Sequence, residues 1–183
     1  MGEKVYAKEP TTPEELAQYS NHIVQYSPEY SLCAGCETCS IMCGLTHDGF
    51  TGPGNSRIHV DLGTRSMIHR IVACQQCNDH PCYNACPRKD AAMCLDPDTG
   101  IAYVNEENCI GCGLCARACK FQPSRIVLRK NKDRKKWKAM KCDLCRGNPE
   151  GPQCIKWCPV RCIGLSDDST FVDNLATPTQ GAD

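Results

Sequence analysis

Short alternations of apolar and polar residues recur between polar turns along this chain. Three of them, at residues 57–62, 101–105 and 125–128, are bounded by Gly, Pro, Asn or Asp. A period of two between turn residues is typical of half-buried strands. The pattern therefore predicts short strands that form small hairpins.

Single helical turns are predicted where four groups of residues rich in cysteine end, at 40–45, 83–85, 116–120 and 155–157. A further short helix is predicted at 12–17, where Pro13 suits a first helical position. Residues 1–31 and 166–183 contain no cysteine and read as a polar N-terminal arm and a C-terminal tail. Together these elements predict an α+β fold.

Composition changes this picture, because 18 of the 183 residues are cysteines and only 11 are aromatic. So few large apolar side chains bury only a modest core, and metal–thiolate bonds can supply the missing stability. Lys plus Arg and Asp plus Glu number 21 each. Balanced charge gives no reason to expect a nucleic-acid partner. No apolar run reaches the roughly 18 residues that cross a bilayer, so no direct membrane insertion is expected.

Cysteine-rich chains are either exported scaffolds with disulfides or reduced proteins that hold metals. The first six residues are polar and mixed in charge, without the apolar stretch of a signal peptide. We therefore expect a cytoplasmic protein that holds metals through thiolates.

The first and third cysteine groups have the spacing Cys-x2-Cys-x2-Cys-x3-Cys, which matches the bacterial ferredoxin run. In that run three thiolates hold one cluster and the fourth cysteine holds another. The two groups are Cys33, Cys36, Cys39, Cys43 and Cys109, Cys112, Cys115, Cys119.

The second and fourth groups keep the ends of this run but have a longer gap before the third cysteine, and a proline follows the last. They are Cys74, Cys77, Cys82, Cys86 and Cys142, Cys145, Cys154, Cys158. The four groups give sixteen ligands, enough for four 4Fe-4S clusters. Structural zinc sites and a disulfide framework are the alternatives, but repeated triplets with a separate fourth cysteine favour iron.

Two cysteines are left over. Cys94 has apolar neighbours and is interpreted as a small buried side chain. Cys162 lies four residues after Cys158 and is an alternative ligand, although Cys158 continues the spacing and carries the proline.

Other features suggest less chemistry. The basic run at 129–138 is interpreted as a solvated hairpin turn, with docking to an acidic or phosphate-bearing partner as the alternative. Residues 111–116 have the residue types of a dinucleotide-binding fingerprint but lack the surrounding βαβ unit. Their glycines are expected to let backbone amides approach cluster sulfurs. The histidines at 47, 59, 69 and 80 are expected at the surface or beside ligands. No nucleophile and base motif is evident, so no catalysis by this chain alone is expected.

The ordered motifs resemble a known family. They are Cys-Ala-Gly-Cys-Glu-Thr-Cys, Cys-Gln-Gln-Cys-Asn-Asp-His-Pro-Cys-Tyr-Asn-Ala-Cys-Pro, Cys-Ile-Gly-Cys-Gly-Leu-Cys, and Lys-Cys-Asp-Leu-Cys followed by Cys-Ile-Lys-Trp-Cys-Pro. This order is similar to the four-cluster electron-transfer subunits of the dimethyl sulfoxide reductase superfamily. In size it is most similar to the compact polyferredoxin subunits of tungsten enzymes of the aldehyde oxidoreductase family, such as class II benzoyl-CoA reductase. One departure from the pattern is Lys120, which follows Cys119 where many such subunits have proline.

The resemblance implies two fused ferredoxin-like modules, one of residues 32–72 with 137–165 and one of residues 73–136. It implies four ligand sets: Cys33, Cys36, Cys39 with Cys158; Cys142, Cys145, Cys154 with Cys43; Cys74, Cys77, Cys82 with Cys119; and Cys109, Cys112, Cys115 with Cys86. The partners it implies are a larger catalytic subunit of the tungsten or molybdenum pterin type, and ferredoxin or another electron-transfer protein. A free-standing soluble polyferredoxin is the rival interpretation.

Overall fold

The structure is a computed structural model, which describes residues 21–26, 32–52, 54–64, 66–130 and 136–167. The helix predicted at 12–17, most of the N-terminal arm and nearly all of the C-terminal tail lie outside these ranges. Within them the protein is a small α+β fold of short helices and two-stranded sheets, as the sequence predicts.

Eight short strands in the described ranges form four antiparallel pairs. The pairs are β1 (Ile23–Gln25) with β8 (Ile163–Leu165), β2 (His59–Asp61) with β3 (Arg70–Val72), β4 (Met93–Leu95) with β5 (Ala102–Val104), and β6 (Val127–Lys130) with β7 (Trp137–Met140). Strands β2, β5 and β6 overlap the three alternating stretches. The partner strands of these three were not predicted. Strand β1 was not predicted either, and it places part of the expected N-terminal arm in a sheet with β8.

Four helices lie among the described residues: α1 (Thr38–Asp48), α2 (Pro81–Asn84), α3 (Leu114–Arg117) and α4 (Gln153–Lys156). Helix α1 packs against α4, and α2 packs against α3. The prediction placed each helix after the third cysteine, and this was wrong, because every helix begins one residue before it. Helix α1 is also longer than the single predicted turn. No helix in the described ranges is long and apolar enough to cross a bilayer.

Cysteine is the most frequent residue in the core. Ten of the buried apolar residues are cysteines, and they stand among a few aliphatic side chains such as Ile58, Met93 and Met140. One cluster of buried residues runs from Ile23 on β1 to Cys154 on α4, and a smaller one surrounds Cys115 and Ile126. The cysteines thus lie where a larger domain would place aliphatic side chains.

A buried ion network joins the segment after α1 to both sides of the third cysteine group. Asp48, at the end of α1, accepts hydrogen bonds from Arg57 and Arg129, and both arginines also reach Glu106. Burial would raise the pKa of Asp48, but Arg129 and Arg57 together hold it below its usual value. The basic run was therefore misread at Arg129, whose side chain is only 11% exposed.

Substituting Asp48 by asparagine is expected to destabilise the protein by about 3 kcal/mol, because two largely buried guanidinium groups lose their main counterion. Chemical denaturation of the anaerobic protein measures this. The matched control is Glu150→Gln, which breaks an exposed pair with Lys156 and is expected to cost less than about 1 kcal/mol. Equal costs for the two variants would contradict a structural role for the network.

Candidate iron–sulfur sites

The four cysteine groups share one local conformation. In each, the residue just before the second cysteine has positive φ: Gly35 at 67°, Gln76 at 46°, Gly111 at 71° and Leu144 at 56°. A left-handed residue turns the chain sharply, so the first two cysteines lie on one tight loop. Only two of these four residues are glycines, so the amino-acid sequence alone does not reveal the shared turn.

Each group also places its third cysteine at the same point of a helix. Cys39, Cys82, Cys115 and Cys154 are the second residues of α1, α2, α3 and α4. The fourth cysteine of every group follows four residues later. The backbone N–H groups of a first helical turn have no partner within the helix. A thiolate at this position therefore lies beside free donors.

Gly111 is the most constrained of these turn residues. A Cβ atom there would lie 2.2 Å from the backbone oxygen of Trp137. Gly111→Ala is expected to displace the loop that carries Cys109 and Cys112 and to lower the iron content of the purified protein. Gly147→Ala is the control, because Gly147 has φ of 84° but no atom within 4 Å of its would-be Cβ. If the two variants lose iron equally, backbone strain rather than the contact with Trp137 is responsible.

Backbone amides point at several cysteine sulfurs. The N–H groups of Gly35 and Gln76 donate to Cys33 and Cys74, each at 3.5 Å. Three more amides reach sulfurs from strands or loops: Arg57 to Cys43, Arg125 to Cys119, and Ala139 to Cys109, at 3.3–3.4 Å. Hydrogen bonds of this kind raise the reduction potential of an iron–sulfur cluster.

One cavity, with about 380 Å³ of empty space, is lined by Cys74, Cys77, Cys82 and Cys119. These are the members of one ligand set that the resemblance implies. Among the described residues, its wall also includes Lys120, Arg125 and Lys141 but no carboxylate. A cluster with four thiolates is anionic, so the charge and the donors of this cavity fit such a group.

A second cavity, of about 360 Å³, is lined by Cys86, Cys109, Cys112 and Cys115. This again is one of the four implied sets, and it too combines three cysteines of one group with the last cysteine of another. The contact between α2 and α3 brings the two groups together. That iron is bound by these particular sulfurs stays a prediction.

The other two sets are recognisable from proximity. Cys33 and Cys158 lie close enough to Cys39 to contribute to its raised pKa, and Cys43 does the same for Cys154. The packing of α1 on α4 brings these residues together. The structure therefore places first-group and fourth-group cysteines side by side.

Burial would keep several of these thiols protonated if no metal were present. It raises the pKa of Cys39 and of Cys77 to about 12, and that of Cys115 to about 11. Burial likewise raises the pKa of Cys142 and Cys154 well above the ordinary value. A bound metal ion reverses this preference, because thiolates are its ligands.

Cys43 differs from the other buried cysteines. Burial would raise its pKa, but the His47 side chain and the amide of Arg57 bring it below the usual value. Nδ1 of His47 lies 3.8 Å from Sγ of Cys43, and its Nε2 lies 2.9 Å from Asp143. His47 is thus beside a predicted ligand, one of the two positions expected for the histidines.

The two remaining cysteines occupy different surroundings. Cys94 is buried on β4, where its Sγ lies 3.4 Å from the backbone oxygen of Asp90. Cys162 is 1% exposed, and its Sγ lies 3.7 Å from that of Cys158. The choice of Cys158 as ligand stays a prediction, with Cys162 directly beside it.

No disulfide links any two of the 18 cysteines, all of which lie within the described ranges. Within the described ranges, no group of three or more His, Cys, Asp or Glu side chains surrounds a single metal-ion position.

Sequence reasoning missed two buried polar residues beside the first cavity. Lys141 precedes Cys142, and Gln76 precedes Cys77; both are almost fully buried. Nε2 of Gln76 donates to the carbonyl of Cys142 at 2.9 Å, and Nζ of Lys141 donates to Oε1 of Gln76 at 3.0 Å. A lysine at a strand end is usually exposed, so no signal in the sequence marks it as buried.

Comparison with known proteins identifies the family. Residues 66–168 match the family described as "4Fe-4S dicluster domain". The chain is 40% identical over 126 residues to the polyferredoxin-like subunit of aliphatic sulfonate oxidoreductase from Pyrococcus furiosus, an alignment that covers 69% of this chain and 66% of that subunit.

Two other similarities differ in strength. The electron transport protein HydN of Escherichia coli is 33% identical over 149 residues, which cover 73% of this chain and 82% of HydN. A solved complex, the active site complex BamBC of benzoyl coenzyme A reductase, is 21% identical, with a TM-score of 0.41 over 80% of this chain and 81% of the matched one. The family match and the HydN alignment each extend over more than half of the chain. The chain therefore belongs to the 4Fe-4S dicluster family.

Proposed function

We propose that this protein holds four 4Fe-4S clusters and passes single electrons along them. The electrons move between an external redox partner and the cofactor of a larger catalytic subunit of tungsten or molybdenum type. The observation that carries the proposal is the fourfold repeat of one cysteine loop, with a left-handed turn before the second cysteine and a helix start at the third. Four such loops supply sixteen thiols.

The proposed ligand sets are the four implied by the family resemblance. Two of them coincide with the linings of the two cavities, and the packing of α1 on α4 supports the other two. A 4Fe-4S cluster with four thiolates has no open coordination position. Such a protein changes only the charge of its clusters, through one electron each.

The proposed modules are residues 32–72 with 137–165, and residues 73–136, with residues 1–31 and 166–183 as arm and tail. An internal repeat supports them. Ser56 and Ser124 each accept a hydrogen bond from the amide two residues later, and the intervening Arg57 and Arg125 each donate to a fourth cysteine. The second boundary falls at the start of β7, so the β6–β7 hairpin links the modules.

Exposure suggests where electrons enter and leave. Cys36 and Cys112, the second cysteines of the first and third groups, are exposed, whereas Cys74, Cys142 and Cys145 are buried. We therefore place the sets of Cys36 and Cys112 at the two ends of the path. The sets of Cys142 and Cys74 lie between them.

The relatives support a role within a complex. One is a subunit of a sulfonate oxidoreductase, and others are electron transport proteins of Escherichia coli. Because such clusters need reduced thiols, the cytoplasm is the proposed compartment. A free-standing polyferredoxin remains the second candidate, favoured by the relatives that are named only as electron transport proteins.

Anaerobic native purification, with iron, sulfide, tungsten and molybdenum counted, tests the proposal. We expect about 16 irons per chain and a larger copurifying subunit that holds tungsten or molybdenum. The same iron content without a partner would favour the free carrier. A colourless protein that contains only zinc would refute both.

A further inference from the structure

Lys141 is a buried cation whose three N–H donors are all used. Its Nζ donates to Oε1 of Gln76 at 3.0 Å, to the carbonyl of Cys142 at 3.0 Å, and to the carbonyl of Ala102. The residue is only 3% exposed. Three acceptors around one nitrogen match an ammonium group, which has three donors and no acceptor.

Gln76 holds this arrangement in place. Its Oε1 also accepts from the amide of Ala102 at 3.1 Å, and its Nε2 donates to the carbonyl of Cys142 at 2.9 Å. Both ends of the amide therefore have partners that define its orientation. The amide group that faces Lys141 is thus held by the backbone through both its oxygen and its nitrogen.

The ammonium lies between two proposed ligand sets. Lys141 lines the cavity of Cys74, Cys77, Cys82 and Cys119. It also directly precedes Cys142 and donates to that residue's carbonyl. The sulfurs of Cys74, Cys82 and Cys142 all interact electrostatically with it. The charge thus sits at the junction of the two central positions of the proposed path.

We propose that Lys141 is a fixed positive charge that raises the reduction potentials of the two central clusters together. This inference rests on the proposed function. Reduction adds one negative charge to a cluster, and a nearby cation that water cannot screen stabilises the reduced form. Lys141 is a positioning residue for charge, because it contacts the backbone and the Gln76 side chain around the ligands as well as the sulfur of Cys74.

Lys138, on β7 and three residues before Lys141, offers a matched control. It is also buried, at 7% exposure, and its Nζ donates to the carbonyls of Cys109 at 2.6 Å and Glu107 at 3.3 Å. Its charge lies beside the set of Cys112, at one end of the path. Removing it should affect that end cluster and leave the two central ones unchanged.

The test is a redox titration of the anaerobically purified holoprotein, followed by electron paramagnetic resonance. Lys141→Met and Lys141→Gln are compared with Lys138→Met and the wild type, after the iron content of each is measured. We expect two of the four midpoint potentials to fall in both neutral variants of Lys141. Lys138→Met should leave those two in place.

Neutral variants with full iron and four unchanged potentials would overturn the inference, and so would an equal shift of all four. Should both neutral variants lose iron, Lys141→Arg carries the test. Full iron with unchanged central potentials in that variant supports the role of charge, while a fall in those potentials, or loss of iron here too, refutes it. A wild-type iron content far from about 16 would instead contradict the proposed function.

Discussion

Replacing Cys115 by alanine is expected to lower the iron content from about 16 per chain to between about 12 and 15, because three thiolates cannot saturate the four iron corners of a cluster. Cys115 is the third cysteine of its group and lies in the wall of the second cavity. Iron and sulfide analysis after anaerobic purification measures the loss. The electron paramagnetic resonance signal of one cluster should change together with this loss of iron.

Cys94→Ala is the control for this experiment. Cys94 is buried like Cys115 and follows Met93, which lines the cavity, but Cys94 itself does not line it. Its substitution should leave both the iron content and the signals unchanged. If Cys94→Ala lost iron while Cys115→Ala retained it, the proposed ligand set would be wrong.

Removing the iron under anaerobic conditions is expected to unfold the chain. In the part of the chain that the structure describes, three of the four helices are only four residues long, and every sheet has two strands. Helices and hairpins of this size are not stable alone in water. With ten cysteines in the core, the remaining apolar side chains are too few to replace the metal.

Far-ultraviolet circular dichroism during chelation measures this unfolding. The signal should fall in step with iron loss and return when iron and sulfide are supplied again. The control adds the chelator already saturated with iron, which should change nothing. A spectrum that is retained after all the iron has left would show that the organic core is sufficient.

Cysteine spacing predicted the family and the class of cofactor, because the geometry of iron binding restricts which spacings are possible. For three of the hairpins, the sequence predicted one of the two strands. Strands β2, β5 and β6 carry clear alternation in the sequence. Their partners include Arg70–Val72 and Trp137–Met140, whose buried residues are consecutive and show no period of two.

Positions that depend on distant parts of the chain could not be predicted. Strand β1 was read as part of a polar arm because its partner lies about 140 residues away. The left-handed turns at Gln76 and Leu144 are visible only when all four loops are compared. Lys141 and Arg129 look like ordinary surface cations, and only tertiary contacts show that they are buried.

The pairing of β1 with β8 determines the order in which the parts of the chain can assemble on the ribosome. Ile23 emerges well before its register partner, Leu165. By contrast, Met93 and Val104 on the β4–β5 hairpin emerge almost together. Local pairings form before distant ones. The β4–β5 hairpin can therefore form first, and the β1–β8 sheet closes only after Leu165 has been synthesised.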